Sequence, residues 1–420
     1  MMNLCEKSVF WGGAVSKVGL MALFFFTVIL GGCDKGGENL KAGNSTCMEQ
    51  LHSGRALPLR SLVIDDNCAG ERAVLIRSVV GRDTLEKVFV LRDSAAIVEG
   101  KPLPKDLSKA MVLRYPLQRV AVLSSAQIGY MLRLGLEDRI VAVGAGKYIA
   151  DSALYAKVAV GQIAEVSPDG MNVDYEKLMA LKPDLVMTFA TGGSQDDYDR
   201  MEKLGIPVML TSEWQSSSPT TKARWIELFG SLFGVEKTAD SINTANLLAY
   251  GAVAGNDSLP AKDCPKVLAG MSYGGVWYAP GGNSYTANLI KNAGGCYLWA
   301  SDTTRELKFS IENVMALADS ADVWVNPGMF GTPEEILAAE PRAAYIKAFK
   351  NKKVFQNDGR KGPGGGNDFF ESAVARPAEV LWNLRTQLGA TTESLPQYTQ
   401  GKPKKPVSVD TSFEWYHNIF

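Results

Sequence analysis

Tyr175-Glu-Lys-Leu-Met-Ala-Leu181 and Ile311-Glu-Asn-Val-Met-Ala-Leu317 are near-copies of each other set 136 positions apart. Each is followed by an apolar run opening on an aspartate, Asp184-Leu-Val-Met in the first and Asp322-Val-Trp-Val in the second. Each run then breaks at a turn, Thr191-Gly-Gly and Asn326-Pro-Gly. Apolar residues at helical spacing, then a short unbroken apolar stretch, spell a helix followed by a buried strand. Such a unit recurring at domain-sized spacing predicts two lobes of similar build, and the space between two lobes commonly holds a ligand.

Outward from the first copy, Arg119-Val-Ala-Val-Leu-Ser-Ser125 reads as a buried strand. Helical text through Ile128, Met131, Leu132 and Leu134 stops at Gly135, and Ile140-Val-Ala-Val143 is a second strand. A helix ending near Leu204-Gly205 and the strand Pro207-Val-Met-Leu210 complete that lobe. The second lobe opens with Lys266-Val-Leu-Ala269 and a Gly- and aromatic-rich loop, Met271 to Tyr285, followed by a helix to Ala293. After the second copy come the strand Lys353-Val-Phe355, the glycines of 359–366, and a helix expected from about Asp368 to Leu388. Strands alternating with helices predict a mostly parallel sheet in each lobe.

Between the lobes, Ser218-Pro219 is a helix start with a capping hydroxyl and a first-turn proline. The run Glu236 to Val253 then predicts a long helix, a stiff spine that limits opening. Upstream, Val74-Leu-Ile-Arg-Ser-Val-Val80 and Leu85-Glu-Lys-Val-Phe-Val-Leu91 flank a Gly81-Arg-Asp turn, a hairpin in a small β-rich stretch. The predicted fold class is therefore α/β: two Rossmann-like lobes joined by a long α-helix, with a β-rich N-terminal extension. The expected boundaries are 1–32 leader, 33–54 modified cysteine and tether, 55–115 extension, 116–215 first lobe, 216–255 connecting helices, 256–390 second lobe and 391–420 tail. In that tail Phe413, Trp415 and Tyr416 are expected to pack on the body.

With 420 residues there is room for two ordinary domains, and 46% hydrophobic with 21% charged residues is a soluble globular balance. A formal net charge of −1 gives no support to a nucleic-acid partner. Lys7 and Lys17 precede an apolar stretch from Val18 to Leu30, too short to span a bilayer comfortably, which ends in Leu30-Gly31-Gly32-Cys33. That ending resembles the lipobox of a bacterial lipoprotein, which implies that Cys33 becomes the lipidated first residue of the mature chain. Several acyl chains at about 0.8 kcal/mol per buried methylene would hold the protein at a membrane without spanning it, and the polar stretch Asp34 to Thr46 would be a flexible tether. The expected location is the periplasmic side of a bacterial membrane, with Asp34 favouring the inner one. Export permits disulfides, and Cys47, Cys68, Cys264 and Cys296 allow three pairings. Of these, Cys47–Cys68 with Cys264–Cys296 is the local choice.

The order of elements over roughly 116–390 resembles the type III solute-binding proteins of ABC importers, which deliver ferric siderophores, haem or cobalamin. The resemblance rests on Arg119-Val-Ala-Val-Leu-Ser-Ser, Met131 to Gly144, Glu176 to Val186 with Ala-Leu-Lys-Pro-Asp-Leu-Val, the second copy at Glu312, Asn283 to Trp299, and Asp368-Phe-Phe-Glu-Ser372. It implies a permease and ATPase as partners, an iron chelate or cobalamin as ligand, and one glutamate per lobe, Glu176 and Glu312, docking onto permease arginines. Each glutamate also falls in the first turn of its helix, after Asp174 or Ser310 as a potential cap, where a carboxylate complements the helix dipole.

Candidate ligand contacts are aromatics and arginines on loops. Tyr148 follows the second strand, Phe189 and Thr191 end the third, and Trp214 follows the fourth. Across the gap Tyr273, Trp277 and Tyr278 ride the glycine-rich loop, while Arg305, Phe330 and Arg360 sit in later loops. Aromatic walls suit a large flat chelate, and guanidinium forks suit anionic oxygens. No cofactor is expected, nor direct metal ligation, since the two histidines, His52 and His417, stand far apart in sequence.

An enzyme reading has one foothold, Gly270-Met-Ser272-Tyr-Gly274, which matches a nucleophile elbow, with Asp358 or Asp368 and then His417 in hydrolase order. The elbow needs a helix directly after its serine, whereas Tyr-Gly-Gly-Val-Trp-Tyr follows. The sequence thus points to a non-catalytic, lipid-anchored receptor for a ferric siderophore or other iron chelate such as haem. Cobalamin is the alternative within the class, and a non-catalytic envelope scaffold the alternative outside it.

Overall fold

Val120–Val122 (β5, counting strands from the N-terminus) is the middle of a five-stranded sheet that organises the first lobe. The computed structural model describes residues 46–53, 61–193, 196–254, 264–389 and 409–420. The leader, Cys33 and most of the tether lie outside them, as does the start of the tail.

The N-terminal extension comprises α1 (Cys47–Ser53), β1 (Leu62–Cys68), β2 (Glu71–Val80), β3 (Asp83–Arg92) and β4 (Met111–Arg114), with the strands in the order β1-β2-β3-β4. The Cys47–Cys68 disulfide ties α1 to the end of β1. Side chains alternate across a strand, and here both faces are covered. Ala73, Leu75 and Val90 pack with Cys47, Leu51 and Leu107, while Val74, Ile76, Phe89 and Leu91 join the core of the first lobe.

The first lobe continues from β5 through α2 (Ser125–Arg133), β6 (Ile140–Val143), α3 (Ser152–Ala159), β7 (Ala164–Glu165), α4 (Tyr175–Leu181), β8 (Leu185–Thr188), α5 (Tyr198–Lys203) and β9 (Val208–Leu210). Its sheet is wholly parallel, in the order β7-β6-β5-β8-β9. Three helices follow: α6 (Pro219–Ala223), α7 (Ile226–Phe233) and the 19-residue α8 (Glu236–Ala254), which is the expected spine.

The second lobe holds β10 (Lys266–Ala269), β11 (Met271–Tyr273), β12 (Val276–Pro280), α9 (Tyr285–Asn292), β13 (Cys296–Tyr297), β14 (Glu306–Ser310), α10 (Ile311–Met315), β15 (Val323–Val325), α11 (Pro333–Ala339), β16 (Val354–Gln356), α12 (Pro377–Gln387) and β17 (His417–Asn418). Its main sheet runs β13-β10-β15-β16-β17, parallel except for the last pair. Trp415 and Tyr416 are fully buried beside β17, with Phe413 stacked on Trp415. The second disulfide, Cys264–Cys296, joins the entry to β10 with β13.

The duplicated unit occupies equivalent places in the two sheets. Asp184 N donates to Arg119 O at 2.7 Å and its Oδ2 accepts from Arg119 N at 2.9 Å. Asp322 N donates to Lys266 O at 2.8 Å and its Oδ2 accepts from Lys266 N at 2.9 Å. In each lobe the aspartate opening the repeated strand thus pins the entry of the neighbouring parallel strand, β5 in the first and β10 in the second. Its recurrence in the sequence is the trace of that job.

Two expectations change. The glycine-rich loop of the second lobe is a β-hairpin: β11 pairs antiparallel with β12 across Gly274-Gly275, both at positive φ (58° and 79°), and β14 adds a third strand. A two-residue turn with both residues left-handed is the geometry that matches the strand twist. The helix expected from Asp368 to Leu388 begins only at Pro377. Asp368–Phe370 and Ser372–Ala375 are single 3-10 turns. Proline lacks an N–H and drives the preceding residue out of the helical region, and Arg376 sits at φ −133°, ψ 55°.

These turns form a second tie between the lobes. Val374 and Ala375 belong to the first lobe's core. Gly129 of α2 lets the Glu371 backbone approach so closely that a Cβ there would lie 2.0 Å from Glu371 O. Buried Glu371 accepts from Ala150 N at 2.9 Å and Asp151 N at 2.8 Å. Alongside α8, this is a separate connection that resists opening.

Candidate functional site

The first lobe's strand order reverses at β5, so the loops leaving β5 and its neighbours part company and open a crevice at the strands' C-terminal ends. A cavity of about 620 Å³ lies there, walled by Ser124, Tyr148, Phe189, Thr191, Trp214 and, from the returning segment, Phe370. Four of its aromatic rings are left open to solvent: Tyr148 52%, Phe189 42%, Trp214 44% and Phe370 53% exposed.

One buried side chain sets the floor. Gln127, in α2, accepts from Leu123 N at 3.1 Å and Ser124 N at 3.2 Å, and donates to Thr188 O at 3.2 Å and Thr211 Oγ1 at 3.0 Å. A single amide thereby satisfies groups at the ends of β5, β8 and β9. Its sequence signal is the capping box Ser124-x-x-Gln127. Asp196 holds the Thr191 turn, accepting from Thr191 N at 2.9 Å and Gly192 N at 2.6 Å. Asp169 anchors the loop carrying Met171, another wall residue. The backbone N–H groups of Asn172 and Met171 hold the Asp169 carboxyl at about 2.

Two wall residues carry charge into this apolar setting. Glu213 is 2% exposed, and burial pushes its carboxyl up from the usual range. Its Oε2 has no hydrogen-bond partner among the described residues. Half-buried Lys222, over the Tyr285 ring at 5.2 Å, is the sole cationic wall residue among the described residues, and burial pulls its ammonium down. An unpartnered buried carboxyl oxygen beside a cavity is an unsatisfied polar group in an apolar wall.

Of the residues singled out in the sequence, Tyr148, Thr191 and Trp214 meet at this cavity, together with Phe189. Trp277 does not. It is fully buried, donates from Nε1 to Ala269 O at 3.3 Å, and packs on Trp324 at 5.3 Å between ring centroids. Alternation along β12 turns it inward, so it is a core residue and not a cleft wall. Tyr273 is exposed at the hairpin end, and Tyr278 lies under Lys308 Nζ at 5.3 Å. Phe330 is half-buried against the second lobe's core.

Neither arginine lines the cavity. Arg305 donates to Gln215 O of the first lobe. Arg360 donates from Nε to Asp368 Oδ2 at 2.7 Å and lies over Phe413 at 4.6 Å. Phe370, Met171, Glu213 and Lys222 were missed by sequence reasoning. Phe370 stands in a quoted motif, but that motif was read as a helix start.

Glu176 and Glu312 are exposed in the first turns of α4 and α10. Asp174 caps α4, accepting from Lys177 N at 2.9 Å. Ser310 makes no side-chain cap on α10. Arg342 Nη1 donates to Glu312 Oε1 at 2.8 Å, and no such partner meets Glu176 among the described residues. Ser272 lies in β11, donating to Glu340 Oε2 at 3.3 Å, whereas His417 Nε2 meets Asp358 Oδ1 at 2.7 Å. The two share no hydrogen bond, and no helix follows the serine.

Comparison with known proteins agrees with this architecture. Residues 120–360, more than half the chain, match the profile of a family described as periplasmic binding protein. An uncharacterized ABC transporter substrate-binding lipoprotein of Bacillus subtilis is 34% identical over 248 residues, covering 56% of this chain and 70% of its own. A vitamin B12-binding protein of Yersinia pestis is 33% identical over 115 residues, 26% of this chain and 38% of its own. A crystal structure of a periplasmic binding protein from Veillonella parvula superposes with a TM-score of 0.51 at 18% identity, over 75% of this chain and 97% of its own. That last likeness is one of fold.

Proposed function

This chain belongs to the periplasmic binding protein family, in the type III form with two α/β lobes joined by a helix, and from that premise we propose that it is the lipid-anchored receptor of an ABC importer, capturing a metal chelate with a neutral, hydrogen-bonding fringe. The carrying observation is the first-lobe cavity, whose four exposed aromatic rings stand beside a buried, half-satisfied carboxyl in its wall. Exposed apolar walls with a few convergent polar groups are what a ligand pocket needs.

The sequence placed a ferric siderophore or haem first because Arg305 and Arg360 were available for anionic oxygens. Both guanidiniums are engaged elsewhere. The wall instead carries Asp196, Asp197 and Glu213 against Lys222. That balance disfavours a polyanionic chelate and favours one that offers N–H donors. A corrinoid, with its amide fringe, fits best. Neutral iron chelates come second, and haem, with two carboxylates, third. The Yersinia relative supports a corrinoid over the part it shares.

In this reading Cys33 carries the lipid, and the receptor faces the periplasmic side of the membrane. Glu176 and Glu312 meet the two permease subunits, since a two-fold partner calls for paired charges. The test is calorimetric titration of the protein with cyanocobalamin, a neutral ferric hydroxamate, a ferric catecholate and haem. Cyanocobalamin is expected at micromolar affinity or tighter, about −8 kcal/mol. Tightest binding by the catecholate would reverse the ligand order. No binding by any of the four would defeat the proposal.

A further inference from the structure

The N-terminal extension has no part in the proposal above, yet its hairpin ends at the mouth of the cavity. Gln215, 8% exposed, closes the 3-10 turn Glu213–Gln215 that carries Trp214. Its side-chain amide pairs with the backbone of β2 as another strand would: Gln215 Nε2 donates to Val79 O at 2.6 Å, and Val79 N donates to Gln215 Oε1 at 3.2 Å. Three residues upstream, Ser212 Oγ donates to Arg77 O at 3.0 Å. The same loop therefore shares three hydrogen bonds with β2, on either side of Glu213 and Trp214.

The neighbouring wall is held by the hairpin as well. Gly192, at φ 86°, lies against Gly81, and a Cβ on Gly192 would sit 2.3 Å from Gly81 N. Gly192 directly follows the wall residue Thr191. The hairpin is not a loose flap, because Val74, Ile76, Phe89 and Leu91 anchor it in the first lobe's core. From the other side, Arg305 of the second lobe donates to the Gln215 carbonyl. Gln215 thus joins extension, first lobe and second lobe at one residue beside an exposed cavity ring.

We infer that the extension is a working part of the ligand site, with the β2–β3 hairpin end and Gln215 as positioning elements that set Trp214 and the Thr191 turn. None of these positioning groups lines the cavity. They act by fixing the two loops that do, so the ligand meets walls already in place and loses less in ordering them. A compact receptor without the extension would need another way to hold those loops. The Arg305 contact adds that any shift between lobes reaches Trp214 through the same residue. This inference rests on the reading that the cavity takes the ligand, and its test is built so that the two can fail separately.

Two variants perturb the junction from opposite sides. Gln215→Leu removes both amide hydrogen bonds at similar size, and Gly192→Ala forces the hairpin away. Backbone hydrogen exchange without ligand reads positioning directly, and calorimetry with cyanocobalamin reads the consequence. In both variants exchange at 191–193 and 211–216 is expected to rise about tenfold, with protection across β5 and β8 unchanged. Affinity is expected to fall about tenfold, with the enthalpy of the remaining binding retained. A variant that loses protection everywhere has unfolded, and the other variant then decides. Unchanged local exchange in a folded variant overturns the inference, whatever happens to affinity. If the wild type binds none of the four chelates, exchange still judges the positioning role, and it is the functional assignment that falls.

Discussion

In the first lobe the duplicated helix runs for seven residues from a working cap, Asp174, while in the second it runs for five from Ser310, whose side chain caps nothing. Glu176 stands unpaired among the described residues, and its counterpart Glu312 is held by Arg342. The contrast continues at the strand ends. Loops after β6, β8 and β9 leave aromatic rings open around a cavity. In the second lobe Trp277 and Trp324 turn inward and pack at a tilt in the core. Between these divergent edges the helix-then-strand frame is shared, down to the aspartate that pins the entry of β5 and of β10. Duplication preserves what the backbone needs, and specialisation takes place in side chains that the backbone does not use.

The comparison is broken most completely at the two glutamates proposed to dock. Glu176→Arg with Glu312→Arg should abolish uptake in cells while leaving ligand affinity unchanged by calorimetry. Normal uptake by the double variant would remove the docking role. Freeing Glu312 with Arg342→Ala should leave uptake intact, since it restores the unpaired state that Glu176 already has.

Next in size is the inward-turned aromatic of the second lobe. Trp277→Ala should cost about 4 kcal/mol in denaturant unfolding. Tyr273→Ala, two-thirds exposed, should stay within about 0.5 kcal/mol. Equal costs would mean that the hairpin's packing is misassigned.

The contact joining the lobes has a pH signature. Burial raises the Glu371 carboxyl from 4.5 to about 7. The folded chain then keeps a proton that the unfolded chain gives up above its ordinary value. Stability is therefore full below about 4.5 and falls as pH climbs to about 7, by on the order of 3 kcal/mol. Glu371→Gln should flatten that slope in urea titrations taken across the window. An unchanged slope would place the titration elsewhere.

The smallest effect separates the two helix starts. Asp174→Ala should cost about 1 kcal/mol and Ser310→Ala less than about 0.5 kcal/mol, measured by the same unfolding curves.

Much of the frame was legible in the sequence because it is repetitive. Buried strands and amphipathic helices alternate, the aspartates recur, and Ser218-Pro219 and Glu236 to Val253 carry their own start and length signals. The hairpin around Gly274-Gly275 was recognisable as non-helical, but not as the turn that buries Trp277, because period-2 alternation over five residues is faint beside a glycine cluster. The site was half legible. Loop aromatics after strands of the first lobe could be named from topology alone. Phe370 could not, since a proline-broken segment returns it from the far lobe. Arg305 and Arg360 were credited to the ligand because a sequence does not show which carbonyl or carboxylate a guanidinium already holds.

The most direct test places the ligand. Calorimetric titration with cyanocobalamin should be run on the wild type, Trp214→Ala and Tyr273→Ala under one condition. Micromolar or tighter binding is expected in the wild type, with a loss of about 2 kcal/mol in Trp214→Ala and none in Tyr273→Ala. Full affinity in Trp214→Ala, or a loss confined to Tyr273→Ala, would contradict a ligand site in the first-lobe cavity.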